Sequence, residues 1–170
     1  ASDVYKRQQP LNNTHLISLP YVLDSSIYFE AIANDPWSCY LDSGIQDDLD
    51  ENISDKSRYD IIVSHPFIKI IADESTVSIE ENNLKKITKE NPFDVLEGIL
   101  AKFDTQNTSL PFTGGALGYF SYELTQSHIK NNKDHVGMPL MMIGIYDWAL
   151  IVDHQKKTAC IASHLINKDT

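Results

Sequence analysis

Short apolar runs broken by polar turns dominate this sequence, and most have the composition of β-strands. The runs are rich in β-branched and aromatic residues, which often alternate with polar ones. They predict strands at 14–19, 37–42, 58–64, 67–72, 76–79, 140–146, 148–153 and 158–163. In the second of these strands, Trp37, Cys39 and Leu41 alternate onto the side that we expect to face the core.

Helical patterns are fewer. Asp24, Ser25 and Ser26 offer N-cap side chains to a first helix. Asn91 and Pro92 predict the start of a second helix, because asparagine caps helices and proline suits the first helical position. The apolar stripe of this second helix comprises Phe93, Leu96, Ile99, Leu100 and Phe103. Many strands and few helices, without strict alternation, predict an α+β fold with largely antiparallel β-sheets and a few flanking helices.

Segment 111–124, with the sequence PFTGGALGYFSYEL, places three glycines among aromatic residues. Glycine inside an apolar segment marks a bulge or the close approach of another backbone or a ligand. We therefore predict a buried strand through the middle of a sheet. A phosphate-binding loop is the alternative, and the spacing argues against it: no lysine follows Gly118, and no Gly-x-Gly-x-x-Gly motif opens a helix.

Composition narrows the class of protein. The 170 residues carry a net charge of −10, whereas nucleic-acid binding needs clustered lysine and arginine, so we expect no nucleic-acid partner. No run approaches the ~20 apolar residues of a membrane span, and we expect no membrane partner. Cys39 and Cys160 form no disulfide framework, which indicates a cytoplasmic protein.

The chain length predicts one domain. We place this domain at residues 15–170. Residues 1–14 are polar and irregular, and we expect them to be disordered or not native. The acidic stretch 43–57 is expected to form a solvated surface loop.

No catalytic constellation is visible. The six histidines lack metal-ligand spacing, so we expect no metal site, and no Gly-x-Ser-x-Gly elbow is present. Asp42, Asp60 and Asp147 lie in or beside predicted strands and are candidate buried carboxylates. Such carboxylates are satisfied by arginine or backbone amides more often than they are catalytic. We predict no catalytic residue in this chain.

Four blocks in order nevertheless resemble one family. They are the glycine segment 111–124, YLDS at 40–43, SRYDIIV at 57–63 and GIYDWALIVDH at 144–154. Together they resemble the N-terminal domain of component I of aminodeoxychorismate synthase and anthranilate synthase. The block at 144–154 is similar to the aminodeoxychorismate branch in particular, and the resemblance runs from about Leu16 to the C-terminus.

The resemblance implies an antiparallel β architecture with outer helices, as the N-terminal part of a two-domain enzyme. The family converts chorismate and ammonia, with Mg²⁺, into 4-amino-4-deoxychorismate for p-aminobenzoate and folate synthesis. A partner glutamine amidotransferase, component II, supplies the ammonia. The chorismate, Mg²⁺ and catalytic residues belong to the family's C-terminal domain, so we expect this chain to be a fragment that lacks that domain, is inactive alone and binds no cofactor.

The resemblance also implies a cleft for L-tryptophan, at Leu41, Ser43, Ser57, Arg58 and Tyr59. A serine hydroxyl and exposed backbone can hold the amino and carboxylate groups, while apolar neighbours contact the indole. Two plainer interpretations stay open: Ser43 and Gly44 as an ordinary turn, and Arg58 as the partner of a nearby aspartate.

Two other functions remain as alternatives. One is anthranilate synthase component I, which acts in tryptophan biosynthesis. The other is a free-standing tryptophan-binding module. Complementation of auxotrophs by the full gene separates the two enzymes, and calorimetry with L-tryptophan tests the binding module.

Overall fold

The computed structural model describes residues 14–44, 57–103, 108–126 and 137–164. Within these ranges the chain forms ten β-strands, two α-helices and a 3-10 helix at Tyr122–Gln126. The strands are β1 (Thr14–Leu19), β2 (Cys39–Leu41), β3 (Tyr59–Val63), β4 (Ile68–Ala72), β5 (Val77–Glu81), β6 (Leu84–Thr88), β7 (Gly115–Phe120), β8 (Met141–Tyr146), β9 (Trp148–Asp153) and β10 (Thr158–His164). The α-helices are α1 (Ser26–Glu30) and α2 (Pro92–Leu100).

The strands form two antiparallel five-stranded sheets. The first sheet has the order β1-β10-β9-β3-β2, and the second has the order β6-β5-β4-β8-β7. Every neighbouring pair is antiparallel. The chain passes from the second sheet to the first between β8 and β9, through the single residue Asp147. The prediction of an α+β fold with largely antiparallel sheets is confirmed.

Three apolar clusters hold these layers together. One packs α2 on the second sheet, through Val95 and Ile99 of the helix. Another joins the two sheets, with Val63 and Ile151 from the first sheet packing near Tyr146 of the second. The third covers the opposite face of the first sheet with α1 and its neighbours. The central strands of the first sheet are therefore buried on both faces, and they tolerate polar side chains only where these are paired.

The helix predictions need correction. Asn91 caps α2 as predicted, accepting a hydrogen bond from the Phe93 backbone N–H at 2.8 Å. Its buried side is centred on Val95 and Ile99, whereas Phe93 and Leu100 of the predicted stripe are partly exposed. Helix α1 ends at Glu30, before the predicted turn at 34–36.

The glycine segment forms β7, but at the edge of the second sheet and not through its middle. That part of the prediction was wrong, whereas the close approach of another backbone is observed. A Cβ atom at Gly118 would lie 2.0 Å from the carbonyl oxygen of Met142 on β8. Glycine at this position therefore lets the two strands pair without a steric clash.

Strand β6 was missed by the sequence patterns. It is exposed along most of its length, so it shows no alternation between buried and exposed residues. A signal is present in Asn82 and Asn83, both at positive φ, which suits a tight turn between antiparallel strands. Leu41 was also misplaced, since it is 49% exposed instead of lying in the core.

Several predictions fall outside the described residues. They concern residues 1–13 at the N-terminus and most of the acidic stretch 43–57. Thr14, the last residue of the segment expected to be disordered or non-native, is the first residue of β1.

Candidate functional site

The five residues predicted to bind tryptophan lie at one end of the first sheet. Leu41 is the last residue of β2, and Ser43 follows it. Ser57 and Arg58 directly precede β3, which begins at Tyr59. Because β2 and β3 pair antiparallel, the end of β2 lies beside the start of β3. The connecting residues 45–56 are outside the described part of the chain.

Strand pairing assigns these residues to faces. Leu41 pairs with Ile61, which pairs with Ile151, so all three point to the same face. By the alternation along β3, Tyr59 shares that face with Ile61, and both pack on the cluster that joins the two sheets. Half-exposed Leu41 therefore borders an apolar surface on the side that faces the second sheet.

Arg58 forms a bidentate ion pair with Asp153. Its Nε lies 3.0 Å from Oδ1 and its Nη2 lies 2.8 Å from Oδ2 of that carboxylate. The guanidinium carbon is also 4.6 Å from the centre of the Tyr59 ring, within cation–π distance. The interpretation of Arg58 as the partner of a nearby aspartate is therefore what the structure shows. A contact of Arg58 with a ligand stays a prediction.

Asp153 is held in its ionised form. Burial by itself raises the pKa of its carboxyl group, but the hydrogen bonds from Arg58 and from the Lys156 backbone N–H outweigh that effect. The pKa of Asp153 is therefore below its usual value. This fixed negative charge keeps the Arg58 side chain in place beside Tyr59.

Asp60 lies on the other face of β3 and is 2% exposed. Its Oδ1 accepts a hydrogen bond from the Ser43 backbone N–H at 2.7 Å. Its Oδ2 accepts from the Ser25 hydroxyl and from His154 Nε2, the latter at 2.8 Å. Burial by itself raises the pKa of Asp60, but these hydrogen bonds favour the ionised form and leave the pKa below its usual value. Both oxygens of the Asp60 carboxylate therefore accept hydrogen bonds.

The network extends through two tyrosines. The Tyr40 hydroxyl lies 2.8 Å from the Ser25 hydroxyl, and because Ser25 donates to Asp60, Tyr40 donates to Ser25. The Tyr21 hydroxyl lies 3.1 Å from His154 Nδ1. Because an ionised carboxylate only accepts hydrogen bonds, His154 carries a proton on Nε2, and in the neutral ring Nδ1 accepts from Tyr21.

Sequence patterns found only part of this network. Of the three candidate buried aspartates, Asp60 is buried, whereas Asp42 and Asp147 are exposed. Ser25 was expected to cap α1, but its side chain makes no capping bond and turns to Asp60. Asp24 instead accepts from the Ser26 backbone N–H at 3.1 Å. No local pattern pointed to Ser25 or His154, because their common partner Asp60 is distant in sequence, and none pointed to Tyr40, which is connected to Asp60 only through Ser25.

Ser43 combines a turn with an unpaired group. Gly44 has a φ of 76° and donates its N–H to Asp42 Oδ1 at 2.7 Å, so the turn interpretation is correct. The buried Ser43 hydroxyl lies beside the Asp60 carboxylate, whose pKa it helps to lower against the opposing effect of burial, but the two groups do not meet in hydrogen-bond geometry. Leaving a buried hydroxyl unpaired costs about 1–3 kcal/mol. Such a group is a candidate contact for a polar ligand.

Other candidate sites find little support. In the part of the chain that the structure describes, no group of three or more His, Cys, Asp or Glu side chains is placed to hold a metal ion. No helix among the described residues is long and apolar enough to cross a membrane. A groove of about 170 Å³ beside the start of α2 contains none of the five predicted residues.

The architecture matches a solved structure, anthranilate synthase component I from Streptococcus pneumoniae TIGR4. The TM-score is 0.56 at 21% identity, over 66% of this chain and 26% of the other. At this identity the match establishes the fold, in which two antiparallel sheets pack together. The chain therefore has the fold of the region that it matches in anthranilate synthase component I.

Sequence comparison identifies the family, although no family model matches the chain. The chain is 36% identical to aminodeoxychorismate synthase component 1 of Escherichia coli K12, over 82% of this chain and 31% of the relative. It is 33% identical to the Klebsiella aerogenes protein of the same name, over 88% of this chain and 33% of the relative. Anthranilate synthase component 1 of Acetivibrio thermocellus is 34% identical, over 64% of this chain and 23% of the relative. The chain is thus a homologue of component 1 of the aminodeoxychorismate and anthranilate synthases, and spans about a third of the former.

Proposed function

We propose that the chain is the N-terminal part of component 1 of an aminodeoxychorismate synthase. The observation that carries this choice is the extent of the match. Aminodeoxychorismate synthase relatives align over 82% and 88% of the chain, whereas anthranilate synthase relatives of comparable identity align over 64% and 61%. The similarity to the aminodeoxychorismate synthases therefore extends over more of the chain than the similarity to these anthranilate synthases.

Contacts between the sequence blocks support the same proposal. The block at 57–63 supplies Arg58 and Asp60, and the block at 144–154 supplies their partners Asp153 and His154. Two stretches that resemble the family are therefore joined by a bidentate ion pair and a buried hydrogen bond. The second block is the one that resembles the aminodeoxychorismate branch.

In this proposal the complete protein replaces the hydroxyl group of chorismate by ammonia and releases water. A glutamine amidotransferase, component II, supplies the ammonia, and the product 4-amino-4-deoxychorismate leads to p-aminobenzoate and folate. The described residues offer no cluster that fits Mg²⁺. We assign the magnesium, the chorismate and the chemical step to the rest of a longer protein, since the chain spans about a third of its relatives.

The role proposed for this chain is to bind L-tryptophan at the end of β2 and the start of β3. Leu41 and Tyr59 offer apolar surface to an indole, and the unpaired Ser43 hydroxyl offers a hydrogen bond to an amino or carboxylate group. Ser57 lies at the same strand end. The Arg58 guanidinium is fixed beside Tyr59, so a carboxylate that reached it would share it with Asp153.

Genetic complementation tests the enzymatic proposal. The full-length gene should restore growth of a p-aminobenzoate auxotroph in minimal medium and should fail to restore a tryptophan auxotroph. The same gene truncated after Thr170 is the control, and it should restore neither strain. Rescue of the tryptophan auxotroph alone would overturn the proposal in favour of anthranilate synthase.

A further inference from the structure

Asp60 on β3 is hydrogen-bonded to three other parts of the chain, at Ser25, His154 and Ser43. Its Oδ2 accepts hydrogen bonds from Ser25, which precedes α1, and from His154, which follows β9. Its Oδ1 accepts from the Ser43 backbone N–H at 2.7 Å. Ser25, Asp60 and His154 are each no more than 2% exposed. Buried donors therefore fix Oδ2 of the carboxylate, while Oδ1 binds the main chain where it leaves β2.

This contact matters because Ser43 lies beyond the pairing of β2 with β3. The ladder between these strands ends at Leu41, paired with Ile61. The chain at Ser43 therefore needs another anchor if its conformation is to be fixed. A hydrogen bond to an ionised carboxylate is roughly twice as strong as a neutral one. The bond to Asp60 supplies that anchor.

Asp60 itself is turned away from the candidate ligand surface. By the alternation along β3, Tyr59 and Ile61 face the second sheet, whereas Asp60 and Ile62 face the opposite side. Ile62 packs there in the cluster that includes Tyr40 and the residues around α1. An effect of Asp60 on a ligand beside Leu41 and Tyr59 would therefore have to pass through the main chain at Ser43.

We propose that Asp60 is a positioning residue for the amino-acid site, and that it fixes the main chain at Ser43 next to the surface formed by Leu41 and Tyr59. The proposal rests on the tryptophan site proposed above. Asp60 makes no ligand contact in this scheme. Its buried partners Ser25 and His154 act through it, by holding the carboxylate in one orientation.

The test measures L-tryptophan affinity by calorimetry and the Ser43 amide by nitrogen-15 NMR, on the full 170-residue chain. Asp60→Asn keeps the size of the side chain and removes its charge. We expect it to weaken L-tryptophan binding by about tenfold, the loss of one charge-assisted hydrogen bond. We also expect the Ser43 amide resonance to move and its hydrogen exchange to accelerate. Tyr119→Phe, which removes a hydrogen bond to the Pro139 carbonyl in the second sheet, is the control and should leave both readouts unchanged.

A second variant and a second readout guard against misfolding of Asp60→Asn. Ser25→Ala removes one donor to Oδ2, and should weaken binding in the same direction by about threefold. In the unaltered chain, the Ser43 amide resonance should follow the protonation of Asp60 as the solution is acidified. A merely structural role of Asp60 would leave the binding of folded variants unaffected.

The outcomes separate the two proposals. Folded Asp60→Asn or Ser25→Ala with unchanged affinity would overturn the positioning role while leaving the tryptophan site in place. If the unaltered chain fails to bind L-tryptophan, the site itself is refuted, and with it the positioning of Ser43 for that ligand. The Ser43 amide resonance then tests whether Asp60 anchors the main chain at Ser43. A resonance that is insensitive to both variants and to acid would show that Asp60 does not anchor Ser43.

Discussion

His154 Nε2 lies 2.8 Å from the Asp60 carboxylate, although 94 positions separate the two residues in the sequence. The contact joins the turn after β9 to the second residue of β3, and both side chains are almost completely buried. In the same two segments of the chain, Arg58 forms an ion pair with Asp153. Two consecutive residues of one block therefore bind two near neighbours of another, which makes this strand end a well-defined part of the fold.

The first prediction concerns the glycine on β7. Gly118→Ala places a methyl group 2.0 Å from the Met142 carbonyl oxygen and 2.9 Å from the Ile143 Cα, both backbone atoms. We expect a loss of about 3 kcal/mol or more in the free energy of unfolding, because the strands must separate. Urea denaturation measures this change.

Gly98→Ala is the matched control. Gly98 lies in α2 and nothing is within 4 Å of its added Cβ, so alanine should stabilise the chain by about 0.5–1 kcal/mol. Equal effects of the two substitutions would contradict the close approach of β7 to β8 at Gly118.

The second prediction concerns acid stability. The fold lowers the pKa of both Asp60 and Asp153 below the ordinary value of 3.8. As the pH falls, the unfolded chain therefore takes up these protons first. The stabilisation is fully present above the unfolded value and is lost as the pH drops through the lower folded values.

Urea denaturation between pH 7 and pH 2 measures this loss. Below about pH 4, the free energy of unfolding should fall less steeply for Asp60→Asn and for Asp153→Asn than for the unaltered chain. Asp73→Asn, at an exposed turn, is the control and should retain the original slope. Identical profiles for all four proteins would show that the two buried carboxylates do not carry the effect.

The third prediction separates stability from binding at Ser43. Ser43→Ala removes a buried hydroxyl that lies beside Asp60 without meeting it in hydrogen-bond geometry, so the free energy of unfolding should change by no more than about 1 kcal/mol. If that hydroxyl contacts the ligand, L-tryptophan affinity should fall by about tenfold or less. Thermal unfolding and calorimetry on the same samples give the two quantities. A destabilised variant that binds with normal affinity would contradict both expectations.

Local patterns predicted the strands well where the chain is apolar and bounded by turns. Strand β1 has the predicted bounds, and β9 and β10 agree within a residue. The patterns failed at β6, whose exposed lysines carry no alternation. They also failed at the edge position of β7, because the order of strands in a sheet is a long-range property.

The candidate site was predictable only from the family resemblance. That resemblance indicated residues on the face of the first sheet that packs on the second sheet, and not the network on the opposite face. Leu41, Ser43 and Tyr59 came from the matched blocks, but the carboxylate that holds Ser43 lies behind the strand. Ser25 looks like a helix cap in sequence, since serine before a helix commonly serves that purpose. Its actual partner depends on a strand formed 35 positions later, and no local rule predicts such a contact.

The reaction product of the full-length protein decides most directly between the two enzyme activities. Purified protein is incubated with chorismate, ammonium and Mg²⁺, and the product is identified by chromatography and mass spectrometry. We predict that the product is 4-amino-4-deoxychorismate. Anthranilate as the product, or no consumption of chorismate by a folded sample, would contradict it.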